Sequence, residues 1–264
     1  MNRPKNWRSW LLLAAVATVV IALFCLPRIP QSEAYHHFAD QRAILHVPNG
    51  ANVLSNIFFL IVGALGLWAL LRDASANGIR LLDPRERWPY AIFFLGVALT
   101  AFGSSYYHLA PDDTRLVWDR LPMTVGFLSL VAAMIAERVS VKWGLWSLPF
   151  LLLFGAASVF YWSFTQVRGH GDLRAYALAQ FGSLFAILLL IALYPPRYTR
   201  GHDFIIALGL YALAKIFESG DGAVFRLGEI TAGHALKHVA AALAALWILR
   251  MLRLRAPVPA KPGR

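Results

Sequence analysis

Apolar runs of about 20 residues recur along the chain, and they constrain its fold more than any other feature of the sequence. A transmembrane helix needs roughly 20 mostly apolar residues, because each residue rises about 1.5 Å through about 30 Å of hydrocarbon. We assign eight such runs: residues 9–27, 50–71, 88–109, 116–136, 144–162, 175–194, 203–218 and 231–252. The seventh run is short and carries two charged residues, Lys215 and Glu218. The runs predict an all-α polytopic membrane protein, with a seven-transmembrane-helix core after an N-terminal transmembrane or signal-anchor helix.

The charged residues indicate membrane topology rather than nucleic-acid binding. Hydrophobic residues make up 58% of the chain, charged residues only 15%, and the net charge is +11. The basic residues stand in short clusters between apolar runs and form no basic face, so we expect no nucleic-acid partner. Cys25, the single cysteine, lies in the first apolar run. A disulfide and a cysteine-based metal site are therefore excluded.

The distribution of Lys and Arg predicts that both termini are cytoplasmic. With this orientation, sixteen of the 25 basic residues fall in inner segments and seven in outer segments, as the positive-inside rule requires. We divide the chain into an N-terminal anchor helix (1–28), an outer-face segment (29–49), the seven-helix core (50–253) and a cytoplasmic tail (254–264). A cleaved signal peptide is the alternative for the first segment, although "LPRIPQSEA" is a poor cleavage site. Inner loops with few acidic residues, and no retention signal, favour a bacterial inner membrane.

Five polar residues on three predicted helices fall at one membrane depth, near the outer face. Ser104 and His108 end one helix, Asp119 lies one turn into the next, and His234 and His238 begin the last. Residues four apart share a helix face, so the last two histidines can point both imidazoles at one ion. Three imidazoles suit zinc and leave a fourth position for water, which is the catalytic arrangement. Ionisable groups inside a membrane are costly and usually functional.

Each of these residues also has a structural alternative. Ser104 could bond to the carbonyl four residues earlier, and Asp119 could pair with Arg115 or Arg120. We interpret the remaining histidines as interfacial side chains: His36, His37, His46, His170 and His202. The sequence is not that of an HExxH metalloprotease, because Ala235 follows the first histidine of the pair.

The polar motifs together resemble the signature of the CREST superfamily of membrane hydrolases. They are Ser-x3-His (Ser104, His108), the aspartate of "WDRLPM" (Asp119) and a final His-x3-His (His234, His238). Their order and the stretch "NVLSNIFFLIVG" look most like the alkaline ceramidase branch, over about residues 33–252. The resemblance implies a zinc-dependent amidohydrolase that cleaves the N-acyl bond of ceramide-like membrane lipids to a sphingoid base and a fatty acid.

The resemblance also implies a role for each residue. His108, His234 and His238 would hold Zn²⁺, Asp119 would deprotonate the water on the zinc, and Ser104 would help to stabilise the oxyanion. A lipid substrate could then enter the site sideways from the bilayer.

A calcium site is a second implication of the resemblance. Ceramidases of this branch carry an acidic cluster before the first core helix. Here Glu33 and Asp40 are kept, but Asn49 stands where a glutamate would be expected. Calcium bound through Asp40, Asn49 and Asn52 is one interpretation, since hard cations prefer several oxygen ligands. The other is that Asn52, Ser55 and Asn56 cap and pack the start of their helix.

Further alternatives concern Lys215, Glu218 and Asp221, and the function as a whole. The three residues are three positions apart and therefore share a helix face, so we expect them to form an ion-pair network. The network is either a structural salt bridge or a contact that orients a ligand histidine. For the function, a receptor-like protein or a lipid-remodelling ester hydrolase with the same zinc site is the alternative. A haem carrier fits less well, because two histidines at one helix end suit a compact ion better.

Overall fold

The computed structural model describes residues 7–72 and 76–259, and these residues form helices and loops without a β-strand. The helices are α1 (Trp7–Cys25), α2 (Gly50–Leu54), α3 (Ile57–Leu71), α4 (Arg87–Leu109), α5 (Asp113–Arg138), α6 (Val141–Val167), α7 (Arg174–Ala177), α8 (Ser183–Leu193), α9 (Asp203–Ser219), α10 (Asp221–Arg226) and α11 (Gly233–Leu254). Short 3-10 turns cover Glu33–His36 and Pro84–Glu86, and a π-helical turn, Leu178–Gly182, joins α7 to α8.

Seven helical segments of the described residues are long and apolar enough to cross a membrane. They are α1, α2 with α3, α4 with the turn before it, α5, α6, α7 with α8, and α11. The predicted all-α multi-pass fold is thereby confirmed. The seventh predicted run forms α9, whose 17 residues extend over about 25 Å and reach the lower limit for a spanning helix. Of the predicted anchor and tail, residues 1–6 and 260–264 lie outside the described residues.

The core is built around α4 and α5, which pack against each other along their length. Helix α3 packs on α4, α6 packs on α5, and α9 packs on α11, which in turn packs on α3. Helix α1 lies outside this core against α8 and buries none of its residues. Its end is attached by Arg174, whose Nη1 donates to the carbonyl oxygens of Phe24 (3.0 Å) and Leu26 (2.7 Å).

A proline in α5 explains how closely α4 and α5 approach each other. Pro122 has no N–H, so the carbonyl of Trp118, four residues earlier, receives no helical hydrogen bond from it. Gly103 of α4 packs directly on this carbonyl, and a Cβ at Gly103 would collide with the Trp118 oxygen. The next residue on each helix is a predicted site residue, Ser104 on α4 and Asp119 on α5. The glycine–carbonyl contact therefore sets the two side by side.

A buried ionic cluster closes the end of the bundle opposite the predicted site. Tyr90 donates its hydroxyl to Glu137 Oε1 at 2.6 Å, and Arg255 pairs with the same carboxylate. The guanidinium of Arg255 lies 4.0 Å from the ring centre of Tyr198, whose hydroxyl bonds to Glu86. These contacts tie the chain after α11 to the start of α4 and the end of α5.

Candidate metal centre

Three histidines from two helices meet inside the bundle. His108 lies in the last turn of α4, while His234 and His238 lie in the first two turns of α11. One ring nitrogen from each comes within 4.8 Å of the others, and the ring centres are 4.8–5.1 Å apart. All three are at most 4% exposed. The cluster predicted from the sequence is therefore assembled, and it could hold a metal ion.

The ring of His238 is oriented by a hydroxyl from the break between α2 and α3. Ser55 Oγ lies 2.8 Å from His238 Nδ1 and 3.0 Å from the carbonyl oxygen of Asn52. Because the single hydroxyl proton goes to that carbonyl, Ser55 accepts the Nδ1 proton of the imidazole. This arrangement leaves the Nε2 lone pair of His238 free for a metal. An outer partner that sets the tautomer in this way is typical of histidine ligands.

His108 is the clearest indication that the cluster fits a metal. The residue is completely buried, and among the described residues neither of its ring nitrogens has a hydrogen-bond partner. Buried polar atoms are nearly always bonded, so two unpaired nitrogens on one ring indicate a ligand. Its backbone is held separately, since the Asn49 side-chain amide donates to the His108 carbonyl at 2.9 Å. A set of imidazole nitrogens suits zinc and other transition metals.

His234 is joined to a chain of charged side chains. Lys237 Nζ lies 3.0 Å from His234 Nε2 and 2.9 Å from Glu218 Oε1. Lys215 pairs with the other oxygen of Glu218, and the Tyr35 hydroxyl donates to Oε1 at 3.2 Å. Of the predicted ion-pair network, the Lys215–Glu218 pair is thus present, and Lys237 extends it to a histidine of the cluster.

Asp221, the third residue of the predicted network, acts on the backbone instead. Its Oδ1 accepts from the backbone N–H of His234 at 2.7 Å, and its Oδ2 accepts from that of Ala39 at 2.9 Å. One carboxylate thus caps the start of α11 and holds the loop before α2. That loop places Phe38 between His108 and His234, with ring centres 4.7 and 4.5 Å away. The cluster is thereby covered from the end of the bundle.

Ser104, Asp119 and His238 line the same cavity of about 760 Å³. Ser104 Oγ makes no hydrogen bond to the carbonyl four residues earlier in α4, so the alternative of back-bonding is not observed. Asp119 is 5% exposed and is not hydrogen-bonded to either arginine suggested by the sequence. Arg115 pairs with Asp112, and Arg120 Nη2 donates to Gln31 Oε1 at 2.5 Å. Both predicted catalytic side chains remain available to a molecule in the cavity.

The cavity extends from the histidine cluster into the apolar interior of the bundle. It lies between α9 and α11 on one side and α4, α5 and α8 on the other. Along α11 its lining runs from Lys237 and His238 to Ile248, which is about 15 Å of helix. Most of the deeper lining is apolar and includes Phe93, Ile187, Phe204, Leu208 and Ala245. An apolar cavity that ends at polar groups is a typical binding site for a small molecule.

The residues before α2 cover this end of the bundle, and His36 has a larger role there than we predicted. We interpreted it as an interfacial side chain, but its Nδ1 lies 2.9 Å from the Tyr107 hydroxyl and its Nε2 lies 3.1 Å from Asp113 Oδ1. Tyr107 precedes His108 on α4. His36 therefore joins the covering loop to the helices that carry the cluster.

Two of the three residues of the predicted calcium site, Asp40 and Asn49, are bonded to other groups. Both oxygens of Asp40 accept from the Arg42 guanidinium at 2.8 Å, and this pairing lowers the pKa of the Asp40 carboxyl. Asn49 bonds to the His108 carbonyl, and the side-chain amide of Asn52 is buried without a partner among the described residues. Calcium binding stays a prediction, and it would require Asp40 to exchange Arg42 for the ion.

Comparison of the chain with protein-family models and with curated proteins finds no match. The fold and the site themselves define the class of protein. It is a multi-pass helical membrane protein with a buried group of three histidines that could bind a metal ion.

Proposed function

We propose that the protein is a zinc-dependent amidohydrolase that cleaves the N-acyl bond of ceramide-like membrane lipids. The observation that carries the proposal is the buried cluster of His108, His234 and His238 at the polar end of a lipid-sized cavity. Ser104, Asp119 and one histidine of the cluster, His238, line this cavity, which supports a single site for the five residues of the ceramidase-like signature. A closed structural zinc site would need a fourth protein ligand. Among the described residues, the cluster contains three histidines and no cysteine or carboxylate.

The proposed chemistry assigns each polar side chain a step. A bound zinc ion would supply an activated water and polarise the amide carbonyl, which is a poor electrophile. Asp119 accepts the proton of the attacking water and returns it to the leaving amine, as a carboxylate within reach can do. Ser104 donates its hydroxyl to the carbonyl oxygen as negative charge develops there. The apolar cavity binds a hydrocarbon chain and keeps bulk water from the reacting groups.

We also propose where the protein lies and which way its active site faces. Lys and Arg are concentrated on the side of the bundle that is opposite to the histidine cluster. The positive-inside rule supports cytoplasmic termini and an active site towards the periplasmic face of a bacterial inner membrane. The substrate then reaches the cavity from the surrounding bilayer.

Release of fatty acid from a panel of lipids tests the proposal. The panel contains N-acyl sphinganines, other N-acyl amino lipids and diacyl phospholipids, so that amide and ester cleavage are separated. We expect amide cleavage only, and we expect Asp119→Asn to reduce kcat by about 100-fold or more. Asp112→Asn is the matched control, because Asp112 caps the same helix and asparagine preserves that cap. Ester cleavage would favour a lipid-remodelling enzyme, and no cleavage of any lipid would contradict the proposal.

A further inference from the structure

A pair of polar side chains lies in the apolar wall of the cavity, and the proposed chemistry does not use it. Gln180 Nε2 donates to the Tyr211 hydroxyl oxygen at 2.5 Å, and both residues line the cavity. Their cavity neighbours include Met123, Phe127, Leu130, Leu184 and Leu208. Polar groups in apolar surroundings are costly unless their hydrogen-bonding capacity is used.

The backbone and the packing hold both side chains in place. Gln180 lies in the π-helical turn that interrupts the membrane span between α7 and α8, and such turns occur frequently at functional sites. Gln180 is only 5% exposed. The ring of Tyr211 packs edge to face against Phe127 of α5, with ring centres 5.2 Å apart. The pair is therefore a rigid feature of the cavity wall.

The bond between the two side chains leaves the Tyr211 hydroxyl proton, the second amide proton of Gln180 and the acceptor Gln180 Oε1 unused. Tyr211 accepts from Gln180, so the proton of its own hydroxyl remains available, and so does Gln180 Oε1. Among the described residues, neither group makes another hydrogen bond, and Gln180 Oε1 is not sealed from the cavity. A neighbouring donor and acceptor match one hydroxyl group, which accepts from the phenol and donates to the amide oxygen.

The depth of the pair relates it to the reacting groups. Tyr211 lies eight residues from the end of α9 at Ser219, which corresponds to about 12 Å along the helix. His238 lies five residues from the start of α11 at Gly233, or about 8 Å. Because Gly233 packs against the Phe217 carbonyl of α9, the pair lies at about the depth of His238, the innermost of the three histidines. A lipid whose amide is at the cluster would place the first few carbons of a chain beside Gln180 and Tyr211.

We propose that Gln180 and Tyr211 bind a hydroxyl group that a lipid carries within a few carbons of its scissile amide. This inference rests on the proposed amidohydrolase function for the position of the amide, and it adds a substrate feature that the metal centre does not specify. The hydroxyl has two chemical sources: a hydroxylated acyl chain or the long-chain base. The pair selects between lipids with and without this group.

Binding of the products tests the inference without requiring hydrolysis. The ligands are 3-hydroxymyristic acid beside myristic acid, and sphinganine beside 3-deoxysphinganine. Their affinities are measured on the purified zinc-loaded protein by displacement of a fluorescent lipid. We expect wild type to prefer the hydroxylated member of one pair by about five- to tenfold, the worth of one hydrogen bond. The pair of ligands that shows the preference identifies the source of the hydroxyl.

Three variants decide whether the polar pair causes the preference. Tyr211→Phe and Gln180→Met should each abolish it while leaving the affinity for the deoxy ligand unchanged. Ser183→Ala is the matched control, since Ser183 is buried directly after the same π-turn but bonds only to the Ala179 carbonyl and does not line the cavity. Equal affinities within both ligand pairs in wild type, or a preference that survives in both variants, would overturn the inference. Amide cleavage without a hydroxyl preference would overturn this inference alone and leave the proposed function intact.

Discussion

Removal of the Ser55 hydroxyl should weaken metal binding although Ser55 is not a ligand. In the structure it accepts the Nδ1 proton of His238 at 2.8 Å and passes its own proton to the Asn52 carbonyl. This chain of hydrogen bonds selects the tautomer in which Nε2 can bind a metal. In Ser55→Ala the imidazole can turn and can present a protonated nitrogen to the ion.

The size of the effect follows from that bond. A buried hydrogen bond contributes about 1 kcal/mol net, which corresponds to about a fivefold change in affinity. Loss of a residue that hydrogen-bonds to a histidine ligand typically lowers metal affinity about 10- to 100-fold. We therefore expect Ser55→Ala to weaken zinc affinity by about tenfold. The assay is competition with a chelator on purified protein in detergent.

Ser105→Ala is the matched control for this experiment. Ser105 lies on α4 near the same helix break, but its hydroxyl bonds to the Val53 carbonyl at 3.4 Å and does not contact a histidine. Its zinc affinity should equal that of wild type. If Ser55→Ala also bound zinc within twofold of wild type, the assignment of Ser55 as a positioning residue would be refuted.

Three further predictions concern stability. Gly103→Ala should destabilise the protein by about 1–3 kcal/mol, because the added methyl group meets a backbone carbonyl of α5. Gly126→Ala is the control and should be neutral or stabilising, because no atom lies within 4 Å of its new Cβ. Thermal unfolding in detergent compares the two variants. Hydrogen bonds from Arg174 lower the pKa of the Asp172 carboxyl to about 2. The contribution of this ion pair to the free energy of unfolding is therefore complete above about pH 4 and is lost as the pH falls through 2. In thermal unfolding across this pH range, the wild-type protein should lose stability as the pH falls, and Asp172→Asn should lose less. An equal loss of stability in Asp172→Asn would contradict this prediction. Glu137→Gln should cost about 3 kcal/mol in chemical unfolding, because it leaves a buried arginine without its charged partner, and a cost below 1 kcal/mol would refute this role.

The helices could be predicted from the sequence because the bilayer itself dictates their length and composition. All eight predicted runs form helical segments, and the ends of α4 and α11 differ from the prediction by two residues or fewer. The interruptions were not predicted. The break at Ser55 and Asn56 arises because both side chains bond to the Asn52 carbonyl, a competition with the helix that hydropathy does not reveal. The π-turn at Leu178–Gly182 likewise lies within an uninterrupted apolar run.

The central residues of the site were also accessible from spacing and topology, but the residues around them were not. His108 and the final pair of histidines were predicted to meet because three helix ends share one depth. The contacts of Ser55, Lys237 and His36 depend on how a loop folds over the bundle and on which helix neighbours which. Neither follows from periodicity. The lysine before the second histidine of the HxxxH pair was the one sequence signal for these contacts, because a buried charge needs a partner.

The most direct test of the account is the metal content of the purified protein, measured by inductively coupled plasma mass spectrometry. We predict about one zinc ion per chain in wild type and its loss in His238→Ala. His170→Ala is the control, because His170 is exposed in the loop after α6 and should leave the zinc content unchanged. Wild-type protein without a bound metal, or a His238→Ala variant that retains the wild-type content, would contradict the assignment of the three histidines as a metal centre.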